Sequence, residues 1–240
     1  MRLLRLLALL WSTAALVAST DIQSYTLRVQ AEGGGAGQAM ATVRLTGCTA
    51  GALNLPLGFA SPEGLKLEEA PSGVRLELGP PSGMTLIHFQ FPDGMPTQAT
   101  LRFSFSLKQV FQVTQLALGE KPTLPTGSRS FRHAFVNTQE APIDTYRLEF
   151  LFPEGLMAQA IREQLPRPKK SEIGPRVLLS KLEGRQAAIL QFTDLHQGDD
   201  TSMVLELVPT RRSLGWLIAG LLLGGLYLFK FKDLVTKQHP

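Results

Sequence analysis

The sequence predicts an all-β protein: one or two tandem Ig-like β-sandwich units, preceded by a signal peptide and followed by one transmembrane helix. Three observations support this prediction. Apolar and polar residues alternate along most of the body, breaks rich in Gly and Pro recur between the alternating runs, and both ends of the 240-residue chain are apolar. Alternation at period two is typical of half-buried strands, whereas a long uncharged run is typical of a membrane span.

The first segment, residues 1–19, has the composition of a secretory signal peptide. Arg2 and Arg5 precede an apolar run, and the small residues Ala18 and Ser19 follow it. We expect cleavage after Ala18 or Ser19, with an uncleaved N-terminal anchor as the alternative. Either arrangement exports the body that follows.

The second segment, residues 20–118, is predicted to form the first β-sandwich unit. Its clearest strand alternates Leu101, Phe103, Phe105 and Leu107 with polar residues. A glycine-rich stretch at 32–37 is interpreted as a hairpin connection. A phosphate-binding loop is disfavoured because a strand follows the glycines where such a loop needs a helix.

Residues 119–128 are rich in Pro and Gly and are predicted to be a linker to a second unit at 129–210. That unit is expected to contain a short helix at 154–165, with Leu156, Ala160, Ile161 and Leu165 on one face. The motif Pro-Glu-Gly-Leu occurs at 62 and again at 153, which favours two tandem units. The alternative is that any two amphipathic β segments resemble each other to this degree.

A transmembrane helix is predicted at 213–231, where Trp216 and Tyr227 have the positions of interfacial aromatic residues. A buried core helix is the alternative. Together with the signal peptide, the span predicts a single-pass protein of the cell membrane, embedded in the lipid bilayer. The ectodomain would be periplasmic or extracellular, and the short tail at 232–240 would be cytoplasmic.

Small residues recur at helical spacing within the predicted span. Gly220 and Gly224 form a GxxxG motif, and Gly215 and Ala219 extend the row. Small residues allow two helices to approach closely, so these four positions are candidate contacts of a homodimer.

Composition excludes several classes of function. Cys48 is the only cysteine, so neither an internal disulfide nor a cysteine-based metal cluster can form. The chain has no Asn-x-Ser/Thr acceptor for glycans, which favours a bacterial envelope protein. Its net charge of +4 is modest and does not indicate nucleic acid as a partner.

No catalytic, metal-binding or cofactor-binding pattern is present, so we expect no cofactor and no enzyme activity. Arg129, Arg132 and His133 are the candidate residues for contact with an anion. The acidic residues at 194, 199 and 200 could bind calcium, but a polar turn explains them more simply.

We therefore expect a non-enzymatic envelope protein whose ectodomain binds or scaffolds another envelope protein through edge-strand or face contacts. A membrane-anchored carbohydrate- or ligand-binding module is the first alternative, and a tethered hydrolase is the second.

Overall fold

Strands make up most of the molecule, so the all-β prediction is confirmed. A computed structural model describes residues 20–48, 51–79, 85–112, 125–164, 177–210, 220–227 and 229–231. The predicted signal peptide at 1–19 lies outside these residues, as does the predicted linker up to residue 124. The strands within the described ranges are β1 Asp21–Ala31, β2 Gly37–Thr46, β3 Gly51–Pro56, β4 Pro62–Glu69, β5 Arg75–Leu78, β6 Leu86–Phe91, β7 Gln98–Leu107, β8 Phe111–Gln112, β9 Arg129–Val136, β10 Ile143–Leu151, β11 Leu156–Gln164, β12 Leu178–Leu182, β13 Arg185–Leu195 and β14 Asp200–Pro209.

These strands form three sheets in a sandwich-like arrangement. The largest has the order β12-β13-β10-β1-β2-β7-β4, and the smaller two have the orders β11-β14-β9-β8 and β3-β6-β5. Phe89 of the three-stranded sheet lies 5.5 Å from Phe103, and Phe131 of the four-stranded sheet lies 3.8 Å from Phe150, measured between ring centroids. Phe103 and Phe150 share one face of the seven-stranded sheet, so both small sheets cover that face.

Alternation in the sequence produces this core directly. In β7, Leu101 and Phe103 are buried while Arg102 between them is exposed, and Phe105 is buried on the same face. The β2–β7 register places Ala41 opposite Phe103 and Ala39 opposite Phe105, so small residues face large ones. Full burial of each phenylalanine stabilises the fold by about 1.5–3 kcal/mol.

The glycine-rich stretch at 32–37 connects β1 to β2 as a hairpin, as predicted. The Glu32 N–H donates to the Ala36 carbonyl at 2.8 Å, and the Gly35 N–H donates to the Glu32 carbonyl at 3.0 Å. Gly35 has a φ of 96°, a conformation that glycine adopts without a steric penalty. The antiparallel register then continues from Ala31↔Gly37 to Asp21↔Thr46.

The predicted short helix at 154–165 is wrong. Leu156–Gln164 form the edge strand β11, which pairs with β14, and residue 165 lies outside the described ranges. Leu156 and Ala158 pack partly buried against the core, and Met157 between them is exposed. A short apolar pattern can satisfy both the helical and the strand period, and here the hydrogen-bonding partner offered by β14 decides the outcome.

The two halves of the body share one sheet. β1 pairs in parallel with β10, from Ile22↔Ile143 to Gln30↔Leu151, although these strands lie on opposite sides of the predicted linker. Contacts group the chain up to Val208 into one unit. The seven-stranded sheet thus contains strands from both of the predicted units, 20–118 and 129–210. The two Pro-Glu-Gly-Leu motifs lead into edge strands of different sheets, β4 and β11.

The second unit, Pro209–Pro240, is described at residues 209–210, which are not helical, and at residues 220–227 and 229–231, which are helical. Its apolar side chains are exposed, including Leu221, Leu222 and Leu223. No helix within the described ranges is both long enough and apolar enough to cross a bilayer. The remainder of the predicted span, 213–219 and 228, and the tail at 232–240 lie outside those ranges.

Candidate functional site

The three residues of the predicted anion contact do not come together. In β9, His133 points into the core with Phe131, whereas Arg132 lies exposed on the opposite face. Arg129 is exposed at the beginning of the strand. A contact made jointly by Arg132 and His133 is excluded by the alternation of side chains in a strand.

His133 belongs instead to a buried aromatic cluster. Its Nε2 lies 2.7 Å from the Tyr146 hydroxyl, and the Tyr146 ring stacks on Phe135 at 4.1 Å. Burial lowers the pKa of His133 to about 3, so its imidazole is neutral at physiological pH. Burial also raises the pKa of Tyr146 well above its usual value. These groups hold the core together and are not accessible to a ligand.

Arg132 does line a groove on the surface, which we call the basic groove. The groove encloses about 640 Å³ and is bordered by the β3–β4 connection at 58–61, residues 108–112 and Arg132. Lys108 Nζ lies 2.5 Å from Glu63 Oε1 at its rim. No ion pair of Arg132 occurs among the residues that the structure describes. The groove is thus lined by aromatic residues and by an arginine that has no ion-pair partner in the described ranges.

The β3–β4 connection is pressed tightly against β9. Gly58 has a φ of 69°, and a Cβ atom built there would lie 2.5 Å from His133 Cε1 and still closer to the Ala134 carbonyl oxygen. Ser61 also has a positive φ, of 51°. Left-handed backbone at a residue other than glycine is uncommon and persists where the surroundings enforce it. The groove wall is therefore held in place by packing.

A second surface feature, the edge groove, lies at the open side of the sandwich between β11 and β12. It encloses about 310 Å³ and is lined by Met157 and Ala158 of β11 and by 179–181 of β12, together with Phe152, Gln186 and Ala187. Leu178 and Leu179 on β12 are 59% and 57% exposed, and Met157 is 43% exposed. Apolar side chains therefore surround a strand edge.

β12 is the last strand of its sheet, with β13 as its only partner in the described part of the chain. The opposite edge strand, β4, is different: its pairing with β7 shifts register twice, and Lys66 and Glu68 lie along it. Bulges and charges are the devices that protect edge strands from pairing with other chains. β12 carries one charged residue, Lys181, and exposes two leucines, so it is less protected than β4.

The outer face of the seven-stranded sheet carries an ionic network centred on Glu149. Arg28 Nε and Arg147 Nε each lie 2.7 Å from one of its carboxylate oxygens, and Arg28 also pairs with Glu183 at 2.6 Å. Burial of Glu149 raises its pKa, but the hydrogen bonds from Arg28 and Arg147 outweigh burial, and the net pKa is lowered. The network joins β1 to β10 across the parallel pairing.

We expect the substitution Glu149→Gln to reduce the free energy of unfolding by about 1–2 kcal/mol. Charge-assisted hydrogen bonds contribute about 1.5–3 kcal/mol, and this value is discounted because the Arg28 and Arg147 side chains are 40% and 32% exposed. Urea unfolding of the full-length chain at pH 7 measures the change. The control is Glu68→Gln, which removes an exposed carboxylate that bonds Ser104 and Lys66 and should change stability less.

The loss of stability caused by Glu149→Gln should depend on pH. Because the pKa of Glu149 is lowered on folding, its contribution is present above the unfolded pKa of about 4.3 and is lost as pH falls through the folded pKa. The stability difference between the wild-type chain and Glu149→Gln should therefore shrink at acidic pH. A difference that stays constant down to pH 3 would contradict the network.

The other residues that the sequence singled out have the following surroundings in the structure. Cys48 is buried, and burial raises the pKa of its thiol, so it is not an activated nucleophile. Asp199 accepts a hydrogen bond from the His196 N–H at 2.8 Å in the turn before β14. Gly220 and Gly224 have open space around their Cα atoms, while Gly215 and Ala219 lie outside the described residues. In the described ranges, no three His, Cys, Asp or Glu side chains are placed to hold a metal ion.

Comparisons with known proteins give a limited result. No protein-family model matches the chain, and no curated protein matches it in sequence. Among solved structures, a candidate protease from Parabacteroides distasonis is similar over 78% of this chain and 40% of its own, with 10% identity and a TM-score of 0.46.

A peptidase structure and a hydrolase structure also match 78% of this chain. An M1 zinc metallopeptidase from Deinococcus radiodurans matches 78% of this chain and 42% of its own, with 14% identity and a TM-score of 0.37. Leukotriene A4 hydrolase from Saccharomyces cerevisiae matches 78% and 29%, with 7% identity and a TM-score of 0.42. This chain therefore spans less than half the length of each. Identities and scores this low assign neither a family nor a reaction.

Proposed function

We propose that this protein is a non-enzymatic, single-pass membrane protein that binds another envelope protein by strand addition at β12. The part that binds is the unit of the chain up to Val208, here called the β unit. One observation supports this proposal above the others: β12 ends its sheet with two exposed leucines beside an apolar groove. Exposed apolar patches on a β edge are typical of interaction sites.

Strand addition would use both the backbone and the side chains of this edge. An extended segment of the partner would hydrogen-bond the outward N–H and C=O groups of β12, which pair with no strand in the described ranges. Alternate side chains of that segment would point to the same face, toward Leu179 and Met157 in the edge groove. The preferred partner is therefore an extended segment with apolar residues at every second position.

Anchoring in the membrane is part of the proposal. Residues 213–229 contain no charged side chain, and the helical residues 221–223 expose leucines that water solvates poorly. The N-terminal sequence favours an exported β unit and a cytoplasmic tail. Gly220 and Gly224 remain candidate contacts for a homodimer within the bilayer.

Site-specific photo-crosslinking in native membranes tests the proposal. A photoreactive residue at Ser180 of the full-length chain should form an adduct of one discrete mass with a membrane protein. The double substitution Leu178→Lys and Leu179→Lys should reduce the adduct by about tenfold or more, because each leucine contributes about 1.5–3 kcal/mol when buried. Both leucines are exposed, so the substitutions should leave the fold intact.

The matched control uses Leu78, an exposed leucine on the short edge strand β5. Leu78→Lys should leave the adduct from Ser180 unchanged, and a photoreactive residue at position 78 should not capture the same protein. Equal capture at both edges, or no adduct at Ser180, would contradict strand addition at β12.

A membrane-anchored ligand-binding module is the second candidate function. The basic groove favours this second function, because apolar and cationic residues line it together. It is a different surface from the edge groove.

A further inference from the structure

The basic groove has the construction of a small-molecule site. Two connections of the chain and one strand converge on it: residues 58–61, residues 108–112 and Arg132 of β9. Its volume of about 640 Å³ falls within the range of about 300–1,000 Å³ that is usual for ligand pockets. The groove lies apart from the β12 edge and shares no lining residue with the edge groove.

The aromatic side chains of the groove are held rigidly. The Phe59 ring lies 4.8 Å from the His133 ring and 6.2 Å from the Phe131 ring. Phe111 is 5% exposed and meets the Phe150 ring edge-on at 6.2 Å. Because the core fixes both rings, an apolar ligand body could lie against Phe59 without ordering it first, which lowers the entropic cost of binding.

The charge of the groove is uneven. Lys108 forms an exposed ion pair with Glu63, but Arg132 has no ion pair within the described ranges. Ser61 also lines the groove, on a backbone with a φ of 51°. A guanidinium group presents paired N–H donors that match the two oxygens of a carboxylate or phosphate.

From these contacts we infer that the basic groove binds a small organic anion with one carboxylate or phosphate group on an apolar body. Arg132 pairs with the anionic group, Ser61 donates a further hydrogen bond, and the apolar body packs on Phe59. This site is independent of strand addition, because none of its residues belongs to β11 or β12.

Calorimetric titration of the full-length chain in nanodiscs of zwitterionic lipid tests this inference with defined probes. Naphthalene-2-carboxylate should bind at least about tenfold more tightly than the neutral naphthalene-2-carboxamide, because a charge-assisted hydrogen bond is worth about 1.5–3 kcal/mol. Naphthyl phosphate in a parallel titration distinguishes a preference for phosphate from one for carboxylate.

The substitution Arg132→Gln should weaken carboxylate binding about tenfold and leave binding of the amide unchanged. Retained binding of the amide shows that the variant is folded. Arg44→Gln is the matched control, since Arg44 is also exposed on a strand and lies on β2 away from the groove. Equal affinity for the carboxylate and the amide, no binding of either, or an Arg132→Gln variant with wild-type affinity would overturn the inference.

Discussion

The substitution Gly58→Ala should destabilise the β unit by about 3 kcal/mol. A left-handed alanine costs about 1–2 kcal/mol, and overpacking of a tight site adds about 1–3 kcal/mol. Both penalties apply because Gly58 has a φ of 69° and because its Cβ atom would meet His133 and the Ala134 carbonyl oxygen. A loss of this size is a large fraction of a typical stability of about 5–15 kcal/mol.

Urea unfolding of the full-length chain in detergent micelles, followed by far-ultraviolet circular dichroism, measures this loss. Gly94→Ala is the matched control: Gly94 has a φ of 77° but open space around it. That variant should lose only the conformational part, about 1–2 kcal/mol. If both variants lost the same amount, the close packing of the β3–β4 connection on β9 would be contradicted.

The second large effect is a pH dependence carried by His133. Burial lowers the pKa of His133 to about 3 in the folded protein, against about 6.5 in the unfolded chain. Between these values the unfolded chain binds a proton that the folded protein does not, so stability falls as pH falls. The expected slope is about 1.4 kcal/mol per pH unit, with full stability above pH 6.5.

Urea midpoints of the full-length chain at pH values from 5 to 7.5 test this slope. The window lies above the titration of ordinary carboxyl groups, so the slope reports on histidine side chains, and the two variants assign it to one of them. His133→Gln should remove the slope, whereas His196→Gln should retain it because His133 is still present. A wild-type chain with flat stability from pH 5 to 6.5 would contradict the buried, neutral imidazole even if His133→Gln failed to fold.

The sequence was sufficient to predict the strands whose side chains alternate without interruption. Leu101, Phe103 and Phe105 are buried as expected. Apolar and polar residues alternate in a strand that has one solvent-exposed face, and no other element produces that pattern. The hairpin at 32–37 was predictable for a similar reason, since its glycines lie between two alternating runs.

Features that depend on distant partners were not predictable. The apolar spacing of β11 fits both the helical and the strand period, and only pairing with β14 makes it a strand. The parallel pairing of β1 with β10 has no local signal in either strand. The basic groove depends on the meeting of Phe59, Lys108 and Arg132, which are far apart in the chain.

The alternation of β9 alone separates two residues of the predicted anion contact. Phe131 and His133 share the buried face of β9, so Arg132 between them had to face outward. The alternation in β9 thus separates Arg132 from His133 before any tertiary contact is considered. That Arg132 lines a groove together with Phe59 and Ser61 could be recognised only from the three-dimensional structure.

The parallel pairing of β1 with β10 also sets the order in which the nascent chain can fold. Arg28 and its partner Glu149 are separated by 121 residues. At about 5–20 residues per second, β1 leaves the ribosome roughly 6–24 s before the strand that completes its second edge. β2 can pair with β1 almost at once, but the other edge of β1 remains open throughout that interval. A holding chaperone that masks residues 21–31 would protect the growing polypeptide at its most vulnerable stage.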